Sequence, residues 1–382
     1  MALKFGMVGG GIGSYIGDHH YLGATMDNLA ELAAGCFSRN PEKNRASAEK
    51  RLIKDMDRVY TSYQEMAEKE SARPDGIDFV SILTPNNSHY EIAKCFIEHG
   101  ISVMCDKPLA NTIEQGEELV RLVEENNVQF GMTYTYTGFA AFRQGREMIK
   151  KGMIGDILYI RAEYPEDFGM NMVNDDGNLI ETDAWRFDPK QVGASLATAD
   201  IGTHAEQVIA QFTGLYIKRV IAKMDNYPKN LALDTNSTIL LDFGGGISGE
   251  IWASIIASGH ECGMKIYVIG TKGSLEWSNE TPERLLYTPK GQPTQIYSSG
   301  TGRGYLEPVT RELARVASGH HEGYFETFAN IYRSYMETMI AKKEGRDPGP
   351  FTYPNVKDGL HGIRFVQACV ESNRNGNVWV DV

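Results

Sequence analysis

The chain has 382 residues, 42% apolar and 23% charged, a globular balance with room for two hydrophobic cores. Its formal net charge of −12 argues against a phosphate-backbone binder, which needs clustered Lys and Arg; backbone amides at a helix start can still hold an anionic cofactor. Five cysteines (Cys36, Cys95, Cys105, Cys262 and Cys369) without any Cys-x-x-Cys spacing fit a reduced chain and neither a disulfide framework nor a zinc site.

The opening MALKFGMVGGG lacks the basic and apolar regions of a signal peptide, and no apolar run reaches bilayer length. A cytoplasmic protein with no membrane, nucleic-acid or metal partner is expected. Leu3 to Val8 reads as a strand ending in glycines, followed by a helix from about Gly13 to Ala33 and a strand from Ala34 to Phe37. Asp78 to Leu83 is a buried-type strand stopped by Thr84-Pro85-Asn86. Ser88 and Glu91 have capping-box spacing before a helix that ends at Gly100. Ile101 to Cys105 is the next strand, and Asn111 with Glu114 opens another capped helix. This β-α-β order predicts a doubly wound parallel sheet with helices on both faces, over residues 1–130.

The pattern then changes. A helix at Phe139 to Lys151 precedes a strand at Ile157 to Tyr164 and a polar loop over 171–183. Strand-like runs follow at Ile217–Met224, Ser237–Phe243, Ile247–Ile256, Lys265–Ile269 and Ser274–Trp277. Short Gly-containing turns between them predict hairpins, so residues 131–382 read as an α+β domain with a large, mostly antiparallel sheet. Two helices, Tyr324–Lys343 and Val356–Asn373, close the chain, and the C-terminal one is expected to pack back on the first domain.

Four motifs carry chemistry. Gly9-Gly10-Gly11-Ile12-Gly13-Ser14 follows a strand and opens a helix, where missing side chains let the backbone approach a pyrophosphate. Ser14 stands where the third glycine of G-x-G-x-x-G would be. The second strand ends Ser38-Arg39 with no acid for the ribose hydroxyls, which leaves NAD and NADP both open on these residues. Asp106-Lys107-Pro108 ends a strand, where ligands sit in open parallel sheets, and an ammonium there can stabilise negative charge on a reacting oxygen. Asp200 and His204 share a helix face, so a carboxylate can support a histidine base; a cap and a core histidine would give the same spacing. Thr84, Asn86 and His89 lie at a strand end within reach of a cofactor. Tyr134, Tyr136, Trp185 and Trp252 are aromatics able to stack on sugar faces. The adjacent pairs His19-His20 and His320-His321 cannot face one metal ion.

Taken together and in this order, these motifs resemble those of the glucose–fructose oxidoreductase, inositol dehydrogenase and rhizopine-catabolism family (Gfo/Idh/MocA). The start GGGIGSYIGDHH and the CDKP spelling are similar to the branch of levoglucosan dehydrogenase and the glycoside 3-dehydrogenases. The resemblance implies a Rossmann domain followed by a sheet domain that assembles homo-oligomers, tetramers or larger. It implies a tightly bound NAD, with NADP as the alternative, held by Gly9, Gly11, Ile12, Gly13, Ser38, Arg39, Thr84, Asn86, His89, Asp106 and Lys107. Lys107, Asp200 and His204 are the implied catalytic set, and Tyr136, Trp185, Arg186 and Thr203 the candidate substrate contacts. Asp106 departs from the family's usual Glu. The implied reaction moves a hydride between a secondary hydroxyl of a sugar or glycoside and the nicotinamide, with C3 of a glucoside as the site. Inositol or another polyol is the alternative substrate, and a non-catalytic NAD(P)-binding sensor is the alternative of another class.

Overall fold

The computed structural model describes residues 2–174, 176–180, 193–229 and 231–382; Trp185 and Arg186 lie outside them. In chain order the first elements are β1 (Leu3–Gly9), α1 (Tyr15–Thr25), β2 (Ala30–Cys36), α2 (Pro41–Lys50), α3 (Tyr63–Ser71), β3 (Phe79–Leu83), α4 (His89–Glu98), β4 (Ser102–Cys105), α5 (Ile113–Glu125) and β5 (Phe130–Met132). Then come α6 (Ala140–Lys150), β6 (Ile157–Pro165), a π turn at Thr198–Gly202 and α7 (Thr203–Thr213). The strands β7 (Arg219–Asp225), β8 (Asn236–Gly244), β9 (Ile247–Ser254), β10 (Lys265–Gly270), β11 (Gly273–Ser278), β12 (Arg284–Pro289) and β13 (Gln295–Ser298) follow. The chain ends with α8 (Pro308–Leu313), α9 (Tyr324–Glu344), α10 (Val356–Arg374) and β14 (Val380–Asp381).

Two compact units result: Met1–Gly138 with Gly323–Leu360, and Phe139–Glu322 with His361–Val382. The first is a parallel sheet in the order β2-β1-β3-β4-β5. β3 (FVSIL) is buried at all five positions, as a strand covered on both faces must be. The strand order reverses between β1 and β3, which puts the ligand crevice of such a sheet beyond their carboxyl ends.

The boundary expected at 130 falls at β5. The first unit runs on to Gly138 and takes back 323–360, because Phe328, Ile331, Tyr332, Tyr335, Met336 and Met339 of α9 complete its core with Phe5, Met7 and Phe79. The returning helix is therefore α9 with the start of α10, and from His361 the chain belongs to the second unit. The first helix is shorter than its apolar run suggested: it stops at Thr25, and Asn28 (φ 55°) turns the chain so that Ala30–Cys36 becomes strand. Ser88 makes no capping bond, and Thr112, not Asn111, caps α5 by accepting from Gln115 N at 3.3 Å.

The second unit carries a nine-stranded sheet, β13-β12-β11-β10-β6-β9-β8-β7-β14, antiparallel throughout except for the parallel pair β6/β9. This is the expected architecture. Alternate residues of β8 (Ser237, Ile239, Leu241, Phe243) are buried, the mark of a sheet with one covered face. On that face, Phe142 of α6 meets Phe212 of α7 at 4.9 Å and Trp277 of β11 at 5.5 Å between ring centroids. β12 and β13 were not expected; the outermost, Gln295–Ser298, has no buried residue and so little hydrophobic alternation to read.

His20 of α1 is fully buried in the first unit. Its Nδ1 pairs with the Tyr332 hydroxyl at 2.8 Å, which also meets Ser81 Oγ at 2.8 Å. Burial lowers its pKa from 6.5 to about 4, with the Asp106 charge opposing. The unfolded chain takes up this proton near 6.5 and the folded chain only near 4. The neutral ring's stabilising effect is thus whole above that window and is lost as the pH falls through it, by on the order of 3 kcal/mol. Urea midpoints measured across the window should fall on acidification and should fall less steeply for His20→Gln; equal slopes would contradict the assignment.

Candidate active site

β1 delivers the glycine loop to the β1/β3 crevice. Gly9 has φ +82°, and a Cβ there would lie 2.7 Å from the Leu83 carbonyl oxygen. Ser14 does not replace the third glycine: it caps α1, its Oγ accepting from Gly17 N at 3.3 Å. The close approach of helix to loop falls at Gly17, where a Cβ would come within 2.3 Å of the Gly10 carbonyl oxygen. Arg51, buried, holds the loop from behind, its Nη2 donating to that same carbonyl at 2.7 Å and to Asp18 Oδ1 at 3.1 Å. Sequence reasoning missed both residues. A glycine in the first helical turn was the readable signal for Gly17; nothing local marks Arg51.

The loop opens into a cleft of about 740 Å³, within the range of small-molecule sites. Of the expected cofactor residues, Gly9, Gly11, Gly13, Ser38, Arg39 and Thr84 line it, joined by Lys43 and Thr61. The Ser38-Arg39 turn is fixed by Asn44, whose Oδ1 accepts from Phe37 N at 2.7 Å. Ile12 is 39% exposed, and its N–H donates to Ser47 Oγ at 2.9 Å. Asn86 opens a 3₁₀ turn, Asn86–Ser88, in which Ser88 Oγ donates to Thr84 Oγ1 at 2.7 Å.

His89 is buried and acts as a brace. Its ring nitrogens reach the carbonyl oxygens of Pro108 at 2.7 Å and Thr84 at 2.8 Å, tying the two loops beyond β3 and β4 together. Asp106 Oδ1 accepts from Lys107 N and from Thr133 Oγ1, both at 2.9 Å, so the carboxylate anchors the loop that presents half-buried Lys107. Tyr136 is buried, its ring 6.4 Å from that of Tyr324.

In the second unit, Asp200 lies on the π turn and His204 one turn later on α7. Asp200 is not a cap: its N–H donates to Leu196 O at 2.8 Å, inside a helical segment that begins earlier. His204 is 7% exposed, its ring edge-on to Tyr164 at 6.0 Å. Thr203 Oγ1 donates to the Ala199 carbonyl at 2.8 Å. Among the described residues no three His, Cys, Asp or Glu side chains group as a metal site requires, and no helix is long and apolar enough to cross a membrane.

A glycine cradle that a side chain would fill, at the start of a helix and at the switch point of a parallel sheet, fits a dinucleotide. The first unit is thus the nucleotide-binding part of an oxidoreductase. The sequence matches the oxidoreductase family with NAD-binding Rossmann fold over residues 3–134 and the GFO/IDH/MocA C-terminal domain over residues 142–276. The chain belongs to the Gfo/Idh/MocA oxidoreductase family, and its cofactor is NAD. It is 35% identical to the uncharacterized oxidoreductase YfiI of Bacillus subtilis, over 99% of this chain and 96% of that one. It is 26% identical to levoglucosan dehydrogenase of Pseudarthrobacter phenanthrenivorans, over 80% of each. An inositol dehydrogenase homologue from Azotobacter vinelandii, solved with NADH and myo-inositol, superposes with a TM-score of 0.90 at 34% identity, covering 100% of this chain and 98% of that one.

Gly17→Ala should push α1 off the Gly10 carbonyl and weaken NAD⁺ binding at least about tenfold, the equivalent of 1.4 kcal/mol. Fluorescence titration with NADH checks this. Wild-type affinity in a folded variant would show that the contact does not shape the site.

Proposed function

We propose that the protein oxidises a ring-borne secondary hydroxyl of a sugar or glycoside, with C3 of a glucoside as the preferred position and a 3-oxo-glycoside as product. The observation that carries this is the placement of Lys107 in the loop after β4, anchored through Asp106 and braced by His89 to the cofactor strand β3. Bound NAD supplies the hydride acceptor. A ring nitrogen of His204 takes the hydroxyl proton as the alcohol is oxidised. The Lys107 ammonium donates to the reacting oxygen and stabilises the negative charge that develops there. Asp200 orients these groups and supports the charge that forms on His204. Ile12, Asn86 and Asp106 complete the cofactor's surroundings, and Tyr136 and Thr203 are the sugar contacts among the described residues.

The levoglucosan dehydrogenase relative supports a carbohydrate ring. A second reading, an inositol or related polyol 2-dehydrogenase, is favoured by the full-length similarity to the homologue solved with NADH and myo-inositol. Both readings share one chemistry, a ring of neighbouring secondary alcohols. The nine-stranded sheet is the proposed assembly face of a homo-oligomer, a tetramer or larger; light scattering that finds a monomer would remove that part.

Lys107→Ala and His204→Ala should each lower turnover about 10²- to 10⁴-fold while NADH titration shows cofactor retained. The assay is product mass spectrometry on a panel of glucosides, free sugars and inositols, preceded by identification of the nucleotide released on denaturation. Near-normal turnover by either variant removes that residue from the mechanism. Turnover of inositols alone selects the second reading.

A further inference from the structure

Asp234, in the turn before β8, is 6% exposed and carries an unusual load of hydrogen bonds for a carboxylate outside any motif. Its Oδ1 accepts from Leu196 N at 2.8 Å. Its Oδ2 accepts from Thr198 N at 2.9 Å, from Thr198 Oγ1 at 2.8 Å and from Ser237 Oγ at 3.2 Å. The Asp234 carbonyl accepts from Ala197 N at 3.1 Å, and Ser195 Oγ accepts from Ala199 N at 3.1 Å.

These donors are the first amides of the helical segment that bears Asp200 and His204. The first amides of a helix have no partner within it, and the helix dipole favours negative charge at that end. Here the charge comes from a residue far along the chain and reaches the backbone two residues before Asp200. The segment between that anchor and α7 is the π turn Thr198–Gly202. A π turn is a register irregularity that persists only where its surroundings hold it.

We propose that Asp234 is a positioning residue for the reaction: by fixing the start of the π turn it sets the directions of Asp200 and His204 without touching the substrate. This rests on the catalytic roles proposed above for those two residues. Asparagine cannot substitute. Each carboxylate oxygen accepts from a backbone amide, so either orientation of an Asn side chain sets its NH₂ against an N–H donor.

The test compares Asp234→Asn, His204→Ala and their double variant for kcat, KM and NADH affinity, with circular dichroism for folding. Asp234→Asn should lower kcat about 10- to 100-fold, the scale of a misplaced catalytic group, with NADH affinity within about twofold of wild type, and should add little to the loss already present in His204→Ala. Wild-type kcat in Asp234→Asn overturns the proposal, as does a multiplied loss in the double variant. Should Asp234→Asn not fold, Asp234→Glu decides: it keeps the charge but shifts the carboxylate off the Leu196 and Thr198 amides, and an unchanged kcat would overturn the proposal. If His204→Ala itself retains turnover, it is the catalytic reading that fails.

Discussion

The close approach of α1 to the Gly10 carbonyl, which a glycine at position 17 permits, sets how the first helix meets the glycine loop. Because Gly17 has no side chain, the helix can begin directly against the loop that lines the crevice beyond β1 and β3. Its far side is fixed by α9, whose Tyr332 hydroxyl joins His20 of α1 to Ser81 of β3. A helix from late in the chain thereby holds in place the one that frames the nucleotide site. This is why residues 323–360 belong to the first unit and not to the second.

Electrostatics follow from the same arrangement. A chain with a net charge of −12 still offers an anion the backbone of its glycine loop, in a cleft that Arg39 and Lys43 also line. Arg51, the buried cation behind the loop, is occupied by the Gly10 carbonyl and Asp18, so its part is to hold the loop's shape. In the second unit a carboxylate does the matching work: Asp234 satisfies the first amides of the segment bearing Asp200 and His204. In each unit a buried charged side chain fixes backbone: Arg51 the glycine loop of the first, Asp234 the segment bearing Asp200 and His204 in the second.

Much of this was legible in the sequence. The strand-to-helix glycines, the buried DFVSIL run and the closely spaced hairpin strands each carry their signal within a few residues, and the structure places them as expected. What escaped depended on partners distant in sequence. Gly17 was passed over because Ser14 fitted the motif's spacing; only the packed helix shows which residue approaches the loop. The bracing bonds of His89 escaped too, since a strand end gives no sign that Pro108 will lie on its other side. Asp200 was read as a possible cap because the π turn and Asp234's long-range capping leave no periodic trace. Exposed edge strands such as β13 have too little alternation to be seen.

The mechanism proposed above has Lys107 and His204 acting on one hydroxyl. A double-mutant cycle on kcat tests it most directly, because groups that work as a unit lose their effects together. Once a turned-over substrate is in hand, the Lys107→Ala/His204→Ala double variant should be no more than about tenfold slower than the worse single variant. Losses that multiply would mean that the two side chains act independently, and the account of a shared catalytic site would be wrong.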